Sequence, residues 1–355
     1  MSSNYKVASL FCGCGGIDKG LEGGFELPYH DEIIPSLGFE VIWANDYNAK
    51  AVESYRANFT GTNHYSICGD IVKIVELARS LRAEQDNDLA LNVPLPVGYD
   101  FNCHNRFIFP ATGDVDLVTG GFPCQPFSLA GKRLALDDPR GKLYKAMLEA
   151  VDMLKPAIFL AENVKGIKTA KGDVIKQIEA DFDAIGYRLE HDVLVASNFG
   201  VPQRRERVIM IGTRKGSPAF DFGSIQPVFP QVKLGRAIKH LVHHENFQLG
   251  DEMHVWSKAK KNKGQGNSKC DEHDFAPTMR AEHHGNIEFH YNGERRLSVR
   301  EAALIQSFPN SFKFRKSATD AYRQIGNAVP PLMAWHIGKA IKQYLDKVKG
   351  VKSNA

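Results

Sequence analysis

The sequence lacks the features that would mark a membrane or secreted protein. Charged residues interrupt every apolar run well before the roughly 20 residues that a transmembrane helix needs. The first ten residues, MSSNYKVASL, have no apolar core typical of a secretory signal. The 6 cysteines include no CxxC pair and no spacing typical of a disulfide framework. These absences predict a cytoplasmic protein.

Little in the sequence indicates a metal site or a strongly basic surface. Cys12 and Cys14 form a CxC pair, but no second ligand pair lies at a fixed offset, so a structural role is predicted for them. A histidine-rich metal site around His283 and His284 lacks supporting Cys/His spacing, and no metal is expected. The net charge of +4 permits a basic face without requiring one.

Strand-like and helix-like segments alternate along the first part of the chain. The strand-like runs cover residues 6–11, 39–44, 115–119, 157–161 and 207–213. The helix-like segments cover residues 48–58, 143–154 and 173–185, with another that begins at about Ile17. Such alternation predicts an α/β fold with a doubly wound, mostly parallel sheet, in which ligands bind beyond the carboxyl ends of the strands.

Two segments interrupt this alternation. Residues 82–112 are rich in turn-forming residues and predict a surface insertion with little regular structure. Residues 215–297 are rich in Gly, His, Lys and Asn, and predict a small separate domain. The chain is therefore expected to consist of a first domain at 1–214, this small domain, and a segment at 298–355 that returns to the first.

The first strand-like run leads into a glycine-rich turn. Phe11 is followed by Gly13, Gly15 and Gly16, whose backbone can approach a ligand closely and whose helix start offers free N–H groups. Asp18 stands where a dinucleotide fingerprint has its third glycine. The motif alone is therefore explained equally well by a plain tight turn.

Acidic residues follow the next strand-like segments. Asp46 can accept hydrogen bonds from both hydroxyls of a ribose, or can cap a helix. Tyr47 can stack on an adenine ring. Asp70, before Ile71, repeats the pattern and can accept a hydrogen bond from an adenine amino group. Such groups at successive strand ends favour a nucleoside-containing ligand.

A cysteine loop carries the most specific chemistry. Cys124 lies in the run GGFPCQPFS (residues 120–128), directly after a strongly apolar segment. A lone cysteine is usually a small buried hydrophobe. Here the two flanking prolines and the glycines predict instead an exposed thiol at the mouth of the sheet.

Two further segments carry charged groups. Glu162 lies at the end of a strand-like run, where partial desolvation can favour its protonated form unless it simply turns outward. Arg205 and Arg207 share one face of an extended segment and can hold a base carbonyl or a phosphate. Taken alone, the arginine segment is explained at least as well by a solvated basic turn.

These five motifs, in this order, closely resemble those of the bacterial DNA cytosine-5 methyltransferases of type II restriction–modification systems. The resemblance continues with Arg-Glu at 300–301, QSFP at 306–309 and QIGNAVP at 324–330. It covers nearly the whole chain except residues 82–112 and 215–296. It implies a Rossmann-like, S-adenosylmethionine-dependent methyltransferase fold, with a catalytic and cofactor-binding domain and a small target-recognition domain.

The resemblance also implies a mechanism. Cys124, as a thiolate, is expected to attack C6 of a cytosine flipped out of duplex DNA. Glu162 is expected to hold N3 and the exocyclic amine, and Arg207 the base O2, while Arg205 supports the loop or a phosphate. No residue is indicated as the base that removes the C5 proton, and a water is expected to do so.

S-adenosylmethionine is the implied cofactor, with S-adenosylhomocysteine as the product. The residues expected to contact it match the family's motifs one by one. They are Phe11, Gly13, Gly15, Gly16, Asp46, Tyr47, Asp70, Ile71, Pro123, Leu143, Asn327 and Val329.

Double-stranded DNA is the implied partner. The residues expected to contact it near the flipped base are Gln125, Ser128, Lys132, Arg133, Arg140 and Gln203. Those expected in the target-recognition region are Lys258, Lys261, Arg280, His283 and His284. A monomer is the default expectation. The resemblance further implies a place on the bacterial nucleoid and a restriction endonuclease that acts on the same sequence without direct contact, although an orphan methylase would have the same sequence features.

Three other functions compete with this interpretation. One branch resembling these enzymes methylates tRNA with the same cysteine chemistry, although the long region between the arginine and Arg-Glu motifs favours DNA. A DNA-binding module without activity is disfavoured by the intact set of Cys124, Glu162 and Arg207. A nucleotide-dependent oxidoreductase is disfavoured by the incomplete glycine fingerprint.

Overall fold

A mixed sheet of eight strands organises the part of the chain that the computed structural model describes. The described residues are 4–61, 64–85, 91–92, 100–101, 107–122, 141–169, 173–242, 253, 255–260, 266–281, 287–315 and 317–350. The strands, including two that form a separate pair, are β1 (Tyr5–Leu10), β2 (Phe39–Asp46), β3 (Tyr65–Cys68), β4 (Leu91–Asn92), β5 (Asp100–Phe101), β6 (Phe107–Phe109), β7 (Leu117–Gly120), β8 (Ile158–Val164), β9 (Tyr187–Val195) and β10 (Glu206–Arg214).

Helices connect these strands and complete the chain. The α-helices are α1 (Gly16–Glu22), α2 (Ala49–Asn58), α3 (Ile71–Gln85), α4 (Gly141–Leu154), α5 (Val174–Ala184), α6 (Leu234–Val242), α7 (Val299–Ile305), α8 (Ala318–Asn327) and α9 (Pro331–Val348). Short 3₁₀ helices cover Lys165–Thr169, Ala196–Phe199 and Phe222–Ser224. Among the described residues, no helix is long and apolar enough to cross a membrane.

The strand order of the large sheet is β5-β3-β2-β1-β7-β8-β10-β9. The five strands β3, β2, β1, β7 and β8 run parallel to one another, whereas β10 is antiparallel to both β8 and β9. The predicted α/β fold with a mostly parallel sheet is therefore confirmed. Strand β9 was not among the predicted strands, because this edge strand is rich in charged residues and its only apolar run is three residues long.

Both faces of the sheet are covered by apolar side chains. Val7 and Leu117 belong to one buried cluster, while their chain neighbours Ala8 and Val118 belong to the other. Successive side chains of a strand point to opposite faces, so a strand with helices on both sides is apolar throughout. This is why β1, β7, β8 and β10 were recognisable as apolar runs.

The region after the third strand differs in detail from the predicted insertion at 82–112. Helix α3 continues to Gln85, so regular structure extends into the start of that segment. Strand β5 pairs antiparallel with β3 at the edge of the sheet, and β4 pairs with β6. The domain boundaries themselves stay a prediction.

The C-terminal helices pack against the first strand and helix. A side chain at Gly20 of α1 would come within 2.4 Å of the Pro331 carbonyl, so glycine permits this close approach to α9. The Tyr5 hydroxyl donates to Asp346 Oδ1 at 2.6 Å. These contacts bring α8, which immediately precedes α9, to the carboxyl end of β1.

Candidate active site

A cavity of about 1260 Å³ opens at the carboxyl ends of the parallel strands. Its lining comes from the carboxyl ends of β2 and β8, from the segments that follow β1, β2, β3 and β7, and from the C-terminal part of α8. Leu143 of α4 and Arg207 of β10 complete it. Most of the predicted cofactor residues line it: Phe11, Gly13, Gly16, Asp46, Tyr47, Asp70, Ile71, Leu143, Asn327 and Val329. The topology thus brings together motifs that are more than 300 residues apart in the sequence, since Phe11 and Val329 both line the cavity.

The glycines after β1 serve different purposes. Gly13 adopts a left-handed φ of 57°, and no atom lies within 4 Å of where its Cβ would be, so its backbone is open to the cavity. A Cβ at Gly16 would lie 2.4 Å from the Val329 carbonyl, so this glycine admits the C-terminal segment. Gly15 does not line the cavity, because its missing Cβ makes room for the Phe59 ring.

Asp46 is held at the cavity wall by backbone donors. Its Oδ2 accepts from Gly13 N at 2.9 Å and its Oδ1 from Asn48 N at 2.8 Å. Desolvation raises the pKa of Asp46, and the backbone hydrogen bonds oppose that shift. Each oxygen keeps acceptor capacity for a ligand hydroxyl. The cap of α2 is Asn48, which accepts from Lys50 N and Ala51 N, so Asp46 is not needed for that purpose.

The neighbouring residues supply an aromatic face and a second carboxylate. Tyr47 is 80% exposed at the rim of the cavity. Asp70 accepts a hydrogen bond from Val72 N at 3.0 Å at the start of α3, and it also lines the cavity. Its carboxylate therefore both caps a helix and faces the space where a ligand would bind.

The other side of the cavity contains an ion pair between neighbouring strands. Arg207 Nε lies 2.7 Å from Glu162 Oε1, and the two side chains are only 13% and 12% exposed. Glu162 pairs across the ladder with Ile209, so Arg207 is its diagonal neighbour on the same face. Arg207 Nη1 also donates to the Glu206 carbonyl at 2.7 Å, which fixes the guanidinium further.

The segment that follows β7 is hydrogen-bonded to β8 beside this ion pair. Asn163 Nδ2 donates to the Phe122 carbonyl at 2.9 Å. Gly121 allows close packing, since a Cβ there would lie 3.2 Å from Glu162 Oε2. Sequence reasoning did not assign Asn163 a role, although it directly follows Glu162 in the motif.

Several predicted residues lie outside the described part of the chain. In the cysteine loop they are Pro123, Cys124, Gln125, Ser128, Lys132, Arg133 and Arg140. In the predicted recognition region they are Lys261, His283 and His284. Cys124 follows the described residue Phe122 by two positions in the sequence.

Arg205 lies in a different environment from Arg207. It is fully buried and donates to the carbonyls of Met279, Gly326 and Ala328 at 3.1, 2.9 and 2.8 Å. Burial lowers the pKa of this guanidinium. Its contacts fit the expected support of a loop, whereas a phosphate contact would need exposed surface.

Gln203 requires a correction. It was expected to contact DNA, but it is fully buried and accepts from Met279 N at 2.9 Å. Its amide nitrogen donates to Gln306 Oε1. All of its hydrogen-bonding capacity is directed into the protein, so it offers nothing to DNA in this structure.

The remaining described DNA-contact candidates are at the surface. Lys258 and Arg280 are exposed. Lys258 lines a second cavity of about 600 Å³ together with Trp256, Lys260 and Lys269. Within the residues that the structure describes, no group of three or more His, Cys, Asp or Glu side chains could hold a metal ion.

Some residues that line the cavity were not predicted, and two of them form a salt bridge between helices. Lys50 Nζ of α2 lies 2.8 Å from Asp320 Oδ1 of α8, and both residues line the cavity with Arg323 and Gln324. Cys12 lines it as well. Only the three-dimensional proximity of α2 and α8 shows this pair, since 270 residues separate its members.

Comparison with known proteins identifies the family. The model for C-5 cytosine-specific DNA methylases matches residues 5–88, 92–269 and 231–343. The chain is 32% identical to the type II methyltransferase M.NgoFVII of Neisseria gonorrhoeae over 96% of this chain and 87% of that protein. It is 31% identical to M.BspRI of Lysinibacillus sphaericus over 97% of this chain and 82% of that protein.

Solved structures share the fold at lower identity. The S. pombe Dnmt2 methyltransferase superposes with a TM-score of 0.64 at 18% identity, covering 97% of this chain and 99% of that one. The Entamoeba histolytica methyltransferase EhMeth gives 0.65 at 16% identity, covering 99% and 100%. The fold, the arrangement of the cavity and the match over most of the sequence agree: this chain belongs to the family of C-5 cytosine-specific DNA methylases.

Proposed function

We propose that this DNA methylase transfers a methyl group from S-adenosylmethionine to C5 of a cytosine flipped out of duplex DNA, with Cys124 as the nucleophile. The observation that carries this proposal is a single cavity with two chemically different sides. Asp46 and the Gly13 turn form one side, and the Glu162–Arg207 pair forms the other. The chain segment that leads to Cys124 begins at the second side.

The residues on the first side fit S-adenosylmethionine. Asp46 offers acceptors for ribose hydroxyls, Tyr47 offers an exposed ring for the adenine, and the open backbone at Gly13 admits a ligand closely. Pockets for a single small molecule are usually about 300–1,000 Å³. The cavity of about 1260 Å³ therefore has room for this cofactor and a base together. When bound, S-adenosylmethionine supplies an activated methyl group on its sulfonium.

The residues on the second side fit the edge of cytosine. Glu162 presents a carboxyl group for N3 and the exocyclic amine, and Arg207 presents N–H donors for O2. Their mutual ion pair fixes both side chains before a base enters. Arg205 holds backbone carbonyls nearby and keeps the segment leading to Arg207 in place.

Cys124 carries out the covalent step. As a thiolate it forms a bond from Sγ to C6, and the electrons of the C5–C6 double bond make C5 nucleophilic. Glu162, in its protonated form, gives a proton to N3, which neutralises the charge that addition places on the ring, and takes this proton back when the ring is restored. C5 takes the methyl group, whose bond to sulfur breaks, so that S-adenosylhomocysteine is left as the product. A base, for which we propose a water, then takes the C5 proton. The double bond then re-forms and Cys124 leaves as a thiolate.

Flipping makes the base accessible at a cost of a few kcal/mol in lost stacking and pairing. We propose that the loop after Cys124 closes over the flipped base and contacts phosphates through Gln125, Ser128, Lys132, Arg133 and Arg140. We assign target recognition to the domain at 215–297, with Lys258, Lys261, Arg280, His283 and His284 as its DNA contacts.

The type II methyltransferases that resemble the chain also suggest its setting. We propose that the enzyme acts as a monomer on one short sequence and protects bacterial DNA from a restriction endonuclease that recognises the same sequence. No contact with that endonuclease is needed, because DNA methylated at its site is already protected. This role places the enzyme in the cytoplasm, on the nucleoid.

Bisulfite sequencing of plasmid DNA from cells that express the protein tests the proposed function. Protected cytosines at one short repeated sequence are expected, and none in cells that express Cys124→Ser at the same level. Purified enzyme is then incubated with plasmid DNA and with tRNA in parallel, each with radiolabelled S-adenosylmethionine. Label in tRNA but not in DNA would contradict the proposal.

A further inference from the structure

A closed ring of hydrogen bonds connects two parts of the chain that are distant in the sequence. Met279 donates its N–H to Gln203 and its carbonyl accepts from Arg205 Nη1. Gln203 donates to Gln306, and Gln306 Nε2 donates to the Ala328 carbonyl at 2.6 Å. Arg205 Nη2 donates to the same carbonyl at 2.8 Å, which closes the ring.

One end of the ring belongs to the region proposed to recognise DNA. The backbone of Met279 precedes Arg280, which is exposed at the surface. Both the N–H and the carbonyl of Met279 are engaged by the ring. The position of the Arg280 backbone is therefore set by Gln203 and Arg205.

The other end of the ring belongs to the cofactor side of the cavity. Ala328 and its neighbours Asn327 and Val329 line the cavity. The Ala328 carbonyl receives two donors, from Arg205 and Gln306. A shift of this carbonyl would therefore move the cavity wall.

The two ends also touch directly. A Cβ at Gly326 would lie 2.3 Å from the Arg280 carbonyl, so the recognition segment packs closely on α8. The Gly326 carbonyl accepts from Arg205 Nη2 at 2.9 Å. The recognition segment and the cavity wall thus share one guanidinium and one close backbone contact.

The polar side chains of the ring are buried in the interior. Gln203, Arg205 and Gln306 are all fully buried. Polar groups in such a place are costly unless they are satisfied, and they specify one arrangement of their partners. Desolvation by burial lowers the pKa of Arg205, and the positive charge of Arg207 lowers it further.

We propose that this ring couples the recognition region to the cofactor cavity, with Gln203, Arg205 and Gln306 as positioning residues. DNA that fits the recognition region stabilises the arrangement of Met279 and Arg280 that the ring holds, and through the ring it stabilises the position of the Ala328 carbonyl in the cavity wall. Cofactor affinity should then rise when cognate DNA is bound, and by the same factor DNA affinity should rise with cofactor. This inference depends on the proposed function, since it requires both ligands to bind.

The test measures the coupling factor between the two ligands. The dissociation constant of S-adenosylhomocysteine is determined by calorimetry with and without a duplex that carries the sequence found by bisulfite sequencing. A wild-type ratio of about fivefold or more is expected, at the lower end of typical allosteric coupling. Gln306→Met keeps the size of the side chain but removes its links to Gln203 and Ala328, which opens the ring on one side, and should reduce the ratio at least about twofold.

A matched control separates coupling from stability. Tyr187→Phe removes a buried hydrogen bond to the Pro156 carbonyl near β9, away from the cavity lining. It should lower the melting temperature as Gln306→Met does, and keep the wild-type ratio. Arg205→Lys is the second ring variant, used if Gln306→Met does not fold.

The outcomes are distinguishable. The inference would be overturned if the wild-type protein had a ratio near one, or if a folded ring variant had the same ratio as the wild type. Neither result would bear on the proposed methyl transfer. A reduced ratio in Tyr187→Phe would also overturn the inference, because the effect would then follow stability. Failure of the wild-type protein to bind either ligand would instead count against the proposed function.

Discussion

The two sides of the cavity are built from the same edge of the sheet in different ways. On the cofactor side, Asp46 is held by backbone N–H groups of a glycine turn and of a helix start. On the base side, Glu162 and Arg207 hold each other across neighbouring antiparallel strands. The first side is fixed by local turns and the second by strand register. Substitutions should therefore impair binding on one side and chemistry on the other.

The largest effect is expected at the nucleophile. Cys124→Ser should reduce turnover by roughly 10⁴-fold or more, because a hydroxyl is far less ionised and less nucleophilic than a thiol. Binding of S-adenosylhomocysteine should stay at the wild-type level. The two quantities are measured by incorporation of labelled methyl groups and by calorimetry. Substantial methylation by the variant would remove Cys124 from the mechanism.

The next effect is expected at the base side. Glu162→Gln removes the carboxyl group that pairs with Arg207 before a base binds and that gives a proton to N3 during the reaction, and should lower kcat by roughly 10²–10⁴-fold, the usual range for a general acid or base. Single-turnover methylation with saturating cofactor measures this loss. The affinity for S-adenosylhomocysteine should change little. If it fell as far as kcat, the proposed separation of the two sides would be wrong.

The cofactor side should respond in the opposite manner. Asp46→Ala removes the acceptor for Gly13 N and for a ribose, and should weaken S-adenosylhomocysteine binding by roughly 10–100-fold, as expected for loss of a charge-assisted hydrogen bond. Asp46→Asn, which keeps one acceptor, should lose less. DNA affinity, measured by fluorescence anisotropy, should be nearly unchanged. Unaltered cofactor affinity in a titration would exclude Asp46 from the site.

The same comparison shows what the sequence alone could predict. The segments before Gly13 and Glu162 are apolar because both faces of the sheet are covered, so the strands and the groups at their ends were evident. Asp46 and Asp70 were placed at the cavity by the same reasoning. The direction of β10 and the presence of β9 could not be read, because an edge strand with alternating charges resembles a loop or a helix surface.

The arginine motif shows most clearly where prediction from the sequence fails. Arg205 and Arg207 are two residues apart in an extended segment, and side-chain alternation predicts one face for both. Arg207 meets Glu162 in the cavity, whereas Arg205 is buried against carbonyls from 74 and 121 residues further along the chain. The local sequence pattern contains no information on hydrogen-bond partners that lie so far along the chain. For the same reason Gln203 was expected at the DNA and was found in the interior.

A buried carboxyl group behind the glycine turn sharpens the description of the cofactor side. Asp18 of α1 is fully buried and accepts hydrogen bonds from the Ser9 hydroxyl at 2.8 Å and the Tyr55 hydroxyl at 2.7 Å. Desolvation raises the pKa of Asp18 to about 6, from an ordinary value near 4. The folded state therefore binds the proton more tightly than the unfolded chain does.

The smallest effect on turnover is expected at this residue, and it should appear in the pH dependence of stability. Because the folded pKa of Asp18 is raised, stability from the protonated form is present below about pH 4 and is lost as the pH rises to about 6. A shift of about two pH units corresponds to about 3 kcal/mol. Asp18→Asn lacks this dependence, so its free energy of unfolding relative to wild type should improve by that order between pH 4.5 and 7.5. Urea denaturation at both pH values measures the change, since other groups cancel in the difference. An equal difference at both pH values would show that Asp18 is already ionised in the folded protein at pH 4.5. The Ser9 and Tyr55 hydroxyls would then donate to a carboxylate and not to a neutral carboxyl group.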